Sequence, residues 1–384
     1  MNDLRLDLAI QAHAVEGVAL RHAMHRHPEL SRVERDTTAR LEQALAGVPC
    51  RVRRGPDEVG LIVDLGPPGP RPCLRADIDA LALTECTGVA FSSETPGVMH
   101  ACGHDVHTAV VLTALKALAD TLPDRPFRFL FQPAEEATPG GSLDLIRAGA
   151  LEDVTGILAL HCDPTRPVGR VGLQAGPLTA AADVFEVTLN GRGGHSARPH
   201  ETDDLVLAAC QLVTQLHLAF DRCVDARAPL TLTVCVFQAG DRSANVMPER
   251  VRFAGTLRTS CAQARARSEG VFTRVIEAAR LSTGAHIDYT IKRGAPPVVN
   301  DAALVEALRN ACINVLGTSG VEPIGLPSMG GEDFAWYLDH VPGALLRVGT
   351  GVGAPLHSPQ FTADDAVIPI AARVMARALA SLTT

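Results

Sequence analysis

The sequence is informative first through what it lacks. It has no surplus of basic charge: 35 Lys+Arg stand against 43 Asp+Glu, for a formal net charge of −8. No global positive field therefore exists to draw in nucleic acid or an anionic membrane surface, and neither is an expected partner. It has no unbroken apolar stretch at its start, where MNDLRLDLAIQAHAVEG alternates charged and apolar residues at helical spacing, unlike a signal peptide or a membrane span. It has no CxxC pair, and its ten cysteines are scattered along the chain. That is not the even framework of a small secreted domain, so most read as reduced core residues and the expected location is the cytoplasm. Internal repeats and low-complexity tracts are also missing. What remains is 384 residues, 46% hydrophobic and 20% charged, enough for two domains with real cores.

Two helices are expected to open the chain. DLAIQAHAVEGVALRHAMHRHPEL keeps helical spacing up to Pro28, and SRVERDTTARLEQALAG offers Ser31 as a cap with Glu34 three residues on, a capping-box pattern. Apolar runs then alternate with helical segments: GLIVDLG and RPCLRADID read as strands, His104 to about Thr121 as a helix, and FRFLFQPAEE and VTGILALHCDP as further strands. This texture predicts an α/β catalytic domain built on a mostly parallel sheet with helices on both faces. Near residue 180 the pattern changes to clean strand alternation in the order βαββαβ, a ferredoxin-like α+β unit. The expected division is a catalytic domain of residues 1–180 and 295–384, with residues 181–294 inserted as a lid and dimerisation domain.

In open parallel sheets, ligands bind at the carboxyl ends of the strands. Asp77 and Asp79, Glu135 and Glu136, and His161 lie at such ends. The stretch VMHACGHDVHTAVVL crowds Cys102 and His104 into a loop entering a helix, and His357 lies in the loop PLHSPQF. Each has an ordinary reading: a buried small cysteine, solvated glutamates, hydrogen-bonded structural histidines. Together, a thiolate, three imidazoles and at least one carboxylate suit zinc, cobalt or manganese rather than calcium or magnesium. Five ligands exceed what one catalytic ion needs, so two ions sharing a ligand is the simpler accounting. One glutamate is then left over as a general base.

Eight segments in order, HRHPELSRVERDTTA, LRADIDALAL, GVMHACGHDVHTA, FQPAEEATPGG, GGHSARPH, NVMPERVRFAGTLRT, MGGEDFAWY and LHSPQFTADD, resemble the dinuclear-metal aminoacylase and carboxypeptidase family, in its hippurate hydrolase and auxin-conjugate amidohydrolase branch. The resemblance spans nearly the whole chain. It implies Cys102, His104, Glu136, His161 and His357 as metal ligands, Glu135 as general base and Asp79 as the acid that orients the site. It implies His195 as an oxyanion-stabilising residue lent across a dimer interface, and Asn245, Arg258 and Gly331 as the groups that hold the substrate's carboxylate. The implied cofactor is two divalent metal ions per subunit, zinc foremost, with manganese, cobalt and nickel as alternatives. The implied reaction is hydrolysis of the amide in an N-acyl-L-amino acid or small peptide by a homodimer formed through the lid. Ala82 stands where the family usually has proline, and Cys162 where another apolar residue is usual. His100, His107 and His200 are read as supporting residues rather than ligands. Two other classes compete: a thiol hydrolase using Cys102 as nucleophile, and a binding protein on the same scaffold.

Overall fold

The chain is described here by a computed structural model covering residues 3–383 except 226, 229, 241 and 242. Its central sheet has eight strands in the order Cys50–Arg54, Leu61–Leu65, Phe127–Gln132, Arg71–Asp77, Val154–Asp163, Gly343–Gly349, Val171–Gly172 and Val321–Glu322. Arg71–Asp77 runs parallel to both its neighbours, and Val154–Asp163 runs parallel to Gly343–Gly349. These are the apolar runs of the sequence. Arg71–Asp77 and Phe127–Gln132 are buried at every residue, as a strand covered on both faces must be. The parallel order places the carboxyl ends of Phe127–Gln132, Arg71–Asp77 and Val154–Asp163 side by side.

The α/β fold class read from the sequence holds, with antiparallel pairing toward both edges of the sheet, Gly343–Gly349 running antiparallel to Val171–Gly172 on one side. Leu61–Leu65 pairs antiparallel with Phe127–Gln132 and with the outermost strand, Cys50–Arg54. That outer strand, CRVRR, is exposed at four of its five positions, and its arginines suit an edge that must not recruit another chain.

Helices Asp3–Arg26, His104–Thr121 and Val367–Ser381 pack on one another in the first unit. His104–Thr121 is buried from His104 through Ala119, so its start is held on all sides. The second helix, Arg35–Ala44, corrects the capping reading. Its N-cap residue, Glu34, makes no side-chain cap, and Ser31 donates instead to Asp79 Oδ2 at 2.6 Å. The cap comes from Glu29, whose carboxylate accepts from Asp36 N at 3.1 Å and Thr37 N at 2.7 Å, an acid at a helix N-terminus.

The chain divides into two units. One comprises Met1–Leu178, Val299–Leu326 and Asp333–Thr384; the other comprises Thr179–Val298 with Pro327–Glu332. The second unit has a four-stranded antiparallel sheet in the order Leu230–Ala239, Arg250–Thr259, Ala181–Asn190, His286–Lys292, the ferredoxin-like order. Its first strand buries every second residue, the period of a half-covered sheet. Helices Leu205–Cys223 and Ala262–Thr283 cover that face over Phe185 and Phe253, with Phe272 of the second helix packed on Phe185.

Asp105 ties the start of the central helix to the first helix of the chain. Its Oδ2 accepts from Arg21 Nε at 3.3 Å and lies 2.9 Å from His25 Nδ1, all three side chains being buried. Removing one partner of a buried ionic cluster leaves uncompensated charge. Asp105→Asn should therefore lower the unfolding free energy by about 3 kcal/mol, measured by urea denaturation of the metal-free protein; a change too small to resolve would mean that Asp365 and Glu85 already satisfy the two cations.

Candidate metal centre

The glycine of CGH is dictated by the turn. Gly103 adopts φ +87°, and a Cβ there would meet Cys162 Sγ at 2.6 Å. Only glycine passes this point without strain, leaving Cys102 just before the helix and His104 as its first residue. His104 Nδ1 is 2.8 Å from the backbone oxygen of Asp79, and His161 Nδ1 is 2.9 Å from that of Cys162. A carbonyl only accepts, so both rings carry the proton on Nδ1 and present the lone pair at Nε2. His104 Nε2 is buried with no hydrogen-bond partner, and His161 Nε2 lies 3.6 Å from Cys102 Sγ.

Among the described residues, four overlapping groups of ligand atoms contain Cys102 or His104, each within a span of 4.8 Å: Cys102, His104 and His161; Cys102, Glu136 and His357; His104, Glu135 and Glu136; and Asp77, His104 and His107. His357 is reached by a strained turn, at φ +62°. Its backbone N donates to Ala101 O at 2.8 Å, and its Nε2 lies 3.1 Å from Glu136 Oε1. The structure thus brings together all five residues read as ligands, together with Glu135 and Asp79.

Asp79 organises the carboxylate pair. Its Oδ1 accepts from Glu135 N and its Oδ2 from Glu136 N, both at 3.0 Å. One residue earlier, Ala134 N donates to Glu34 Oε1 at 2.7 Å. Glu34 was read as a helix-cap partner; its place beside this turn is what sequence reasoning missed, as it missed the hydroxyl of Ser31 on Asp79. No local signal distinguishes these uses from capping.

The electrostatics follow from burial and from these contacts. Burial opposes charge on His104, but Asp77, the Cys102 sulfur and Asp79 outweigh it and raise its pKa well above the ordinary value; the negative groups that favour a proton on Nε2 would equally favour a metal cation in its place. Burial, and then Arg347, lower His161, which stays neutral. Burial pushes the Cys102 thiol up, which argues against a free thiolate nucleophile. Burial likewise raises Glu34, to about 7, with Asp79 adding to it.

The remaining histidines are placed differently. His107 uses both ring nitrogens: Nδ1 is 2.6 Å from Asp77 Oδ1, and Nε2 accepts from Cys162 N at 2.9 Å. His100 is buried with no hydrogen bond on its ring, and His200 is exposed in the second unit. Also in the second unit, His195 and Val246 are cross-strand partners, so Asn245 lies beside His195, and Asn245 O accepts from Ser196 N at 3.0 Å. His195 Nδ1 accepts from Ala197 N at 3.1 Å, which puts the proton of the neutral ring on Nε2. Arg258 pairs with Ala182 and donates from Nη1 to Met329 O at 2.7 Å. A Cβ on Gly331 would lie 3.2 Å from Ala182 Cβ, so Arg258 and Gly331 flank the same residue.

Residues 73–381 match peptidase family M20/M25/M40. The chain belongs to this family. The motif resemblance is thereby confirmed, and the chain is a hydrolase of amide bonds. It is 38% identical over 358 residues to an N-acetyl-L-cysteine deacetylase of Bacillus subtilis, covering 91% of this chain and 84% of that one. It is 43% identical over 353 residues to a putative glutamate–cysteine ligase of Rhodococcus jostii, covering 91% of this chain; the chain spans only 44% of that longer protein. Among solved structures, a dinuclear metal-binding peptidase of the M20 family from Bacillus subtilis superposes with a TM-score of 0.85 at 32% identity, covering 97% of this chain and 98% of that one. Among the described residues no helix is long and apolar enough to cross a membrane.

A metal-dependent hydrolase and a thiol hydrolase respond oppositely to two reagents. A strong chelator should abolish activity and an added divalent ion should restore it, while iodoacetamide applied to the folded, metal-loaded protein should leave turnover near its starting value. Activity that survives chelation but not alkylation would make Cys102 a nucleophile.

Proposed function

We propose that the protein is a dinuclear metal-dependent amidohydrolase that cleaves the amide of N-acyl-L-amino acids or small peptides and releases a free amino acid. The observation that carries this reading is the pair of imidazoles, His104 and His161, each locked by a backbone carbonyl so that Nε2 faces Cys102 Sγ beside the Glu135–Glu136 pair. Cys102, His104, Glu136, His161 and His357 would hold two divalent ions, zinc foremost on this nitrogen, sulfur and oxygen donor set, with manganese, cobalt and nickel as alternatives. The buried Nε2 of His104, which has no hydrogen-bond partner, is the polar atom such an ion would satisfy. A two-metal relative in the same family supports the count, and the deacetylase relative supports the substrate class.

When bound, the ions supply Lewis acidity that acidifies water and polarises a carbonyl. Glu135 takes the proton of the attacking water as its oxygen bonds to the amide carbon. His195, with its proton on Nε2, donates to the developing oxyanion. As the carbon–nitrogen bond breaks, Glu135 returns the proton to the leaving amine. Arg258, a fork suited to a carboxylate, holds the amino acid's carboxylate with Asn245 and the backbone of Gly331. In this reading the unit that holds Cys102 and His104 is catalytic, and the ferredoxin-like unit is the lid through which two copies form a homodimer. Ten free cysteines and the absence of a basic surplus support a cytoplasmic enzyme acting on small molecules.

Two experiments test the assignment. Glu135→Gln should keep its metal while turnover falls by about 100- to 10,000-fold, the range for loss of a general base, whereas Glu136→Gln should lose metal; equal loss in both by elemental analysis would show the roles to be misassigned. For His195, mixing Glu135→Gln subunits with His195→Ala subunits should restore up to about a quarter of parental activity if the site is shared across a two-fold dimer, because half of randomly paired dimers are mixed and each holds one intact site. No recovery despite proven subunit exchange would confine His195 to its own chain.

A further inference from the structure

Three consecutive backbone N–H groups at the carboxylate pair are each taken by a buried acid. Ala134 N donates to Glu34 Oε1 at 2.7 Å, Glu135 N to Asp79 Oδ1 and Glu136 N to Asp79 Oδ2, both at 3.0 Å. The turn that aligns them is strained, because Ala134 sits at φ +55°, in the left-handed region that a Cβ disfavours. Ala134 O accepts from Gly141 N at 2.9 Å, so the peptide groups on both sides of Ala134 are held. Asp79 is itself held, by the hydroxyl of Ser31 on Oδ2 at 2.6 Å. Ser31 and Glu34 thus reach the turn from one short segment, which is anchored at its far end by the Glu29 carboxylate on Asp36 N and Thr37 N.

We propose that Ser31 and Glu34 are positioning residues for the reaction, holding the strained Ala134 turn so that Glu135 and Glu136 keep their separate orientations. The inference rests on the assignment of Glu135 as general base. Neither residue needs to touch substrate or metal. Two observations separate this from ordinary satisfaction of polar groups. The helix that Ser31 and Glu34 precede takes its cap from elsewhere, so neither is occupied there. Glu34 is fully buried, its carboxyl turned to the backbone of Ala134 and of its own segment, while Oε2 has no hydrogen-bond partner, a costly arrangement that packing alone would replace with an apolar side chain.

The test uses the metal-loaded enzyme with an N-acetyl-L-amino acid that the parent hydrolyses, at saturating metal, with metal content read in parallel. Glu34→Ala should lower kcat by about 10- to 100-fold, the range for loss of a supporting hydrogen bond at a metal site, with little change in KM. Glu34→Gln keeps a carbonyl acceptor for Ala134 N and should recover most of that loss. The double variant Glu34→Ala/Ala134→Gly should also recover part of it, because glycine adopts the left-handed conformation without strain; a purely structural role for Glu34 gives no such rescue. Parental kcat in Glu34→Ala, or a double variant no better than the single one, would overturn the proposal. If Glu34→Ala does not fold, Ser31→Ala carries the test: a fall of about 10-fold in kcat supports the proposal, and an unchanged kcat overturns it. Glu135→Gln in the same assay separates the two levels. An inactive Glu135→Gln beside a fully active Glu34→Ala defeats only this inference, whereas an active Glu135→Gln defeats the general-base assignment and this inference with it.

Discussion

The site depends on one buried carboxylate. Asp79 is 1% exposed, and its two oxygens accept from the backbones of Glu135 and Glu136 and from Ser31, while its own backbone oxygen accepts from the ring of His104. Three pieces of chain far apart in sequence are fixed to this one residue at the end of a central strand: the segment before the second helix, the turn beyond the neighbouring strand and the start of the buried helix. Burial favours the protonated form of Asp79, but the hydrogen bonds from His104, Ser31 and Glu136 prevail and hold its pKa below the ordinary value. An ionised acceptor in a low-dielectric interior makes short, directional bonds, and that stiffness sets where the neighbouring side chains can go.

The surroundings of the imidazoles continue the same logic. Each of the two inward-facing rings spends Nδ1 on a backbone carbonyl, which fixes both tautomer and plane. Asp77 lies close by, with Oδ2 3.7 Å from His104 Nε2 and its oxygens on Arg75 and His107, and His107 in turn holds the backbone of Cys162, next to His161. The orientation of His161 is thus set by the carbonyl of Cys162, whose backbone N–H is itself held by His107. A thiol, two lone pairs and a carboxylate pair held this way cost little reorganisation when they act together.

Much of this was legible in the sequence, because the signals concerned are local. The alternation of apolar strand and helix gives the sheet, and CGH and PAEE announce themselves at strand and helix ends where ligands gather. Period-two burial along Ala181–Asn190 marks the second unit. What could not be read are the contacts made over long separations. Ser31 and Glu34 carry a local capping signature, yet the structure gives the cap to Glu29 and sends both side chains across 48 and 100 residues to Asp79 and Ala134. Tertiary partners won because a buried strained turn offers unsatisfied donors, whereas an exposed helix start can turn to water. The edge strand Cys50–Arg54 escaped notice for a related reason: a mostly exposed, arginine-rich segment has no apolar period to detect.

The claim that the Asp79-locked turn gives Glu136 to the metals and keeps Glu135 for proton transfer is tested most directly by anomalous diffraction from crystals of the metal-reconstituted protein. The expected result is two anomalous peaks per subunit among Cys102, His104, Glu136, His161 and His357, with the Glu135 carboxylate outside the coordination of both. A single peak, peaks elsewhere, or Glu135 bound directly to an ion in place of Glu136 would contradict the account.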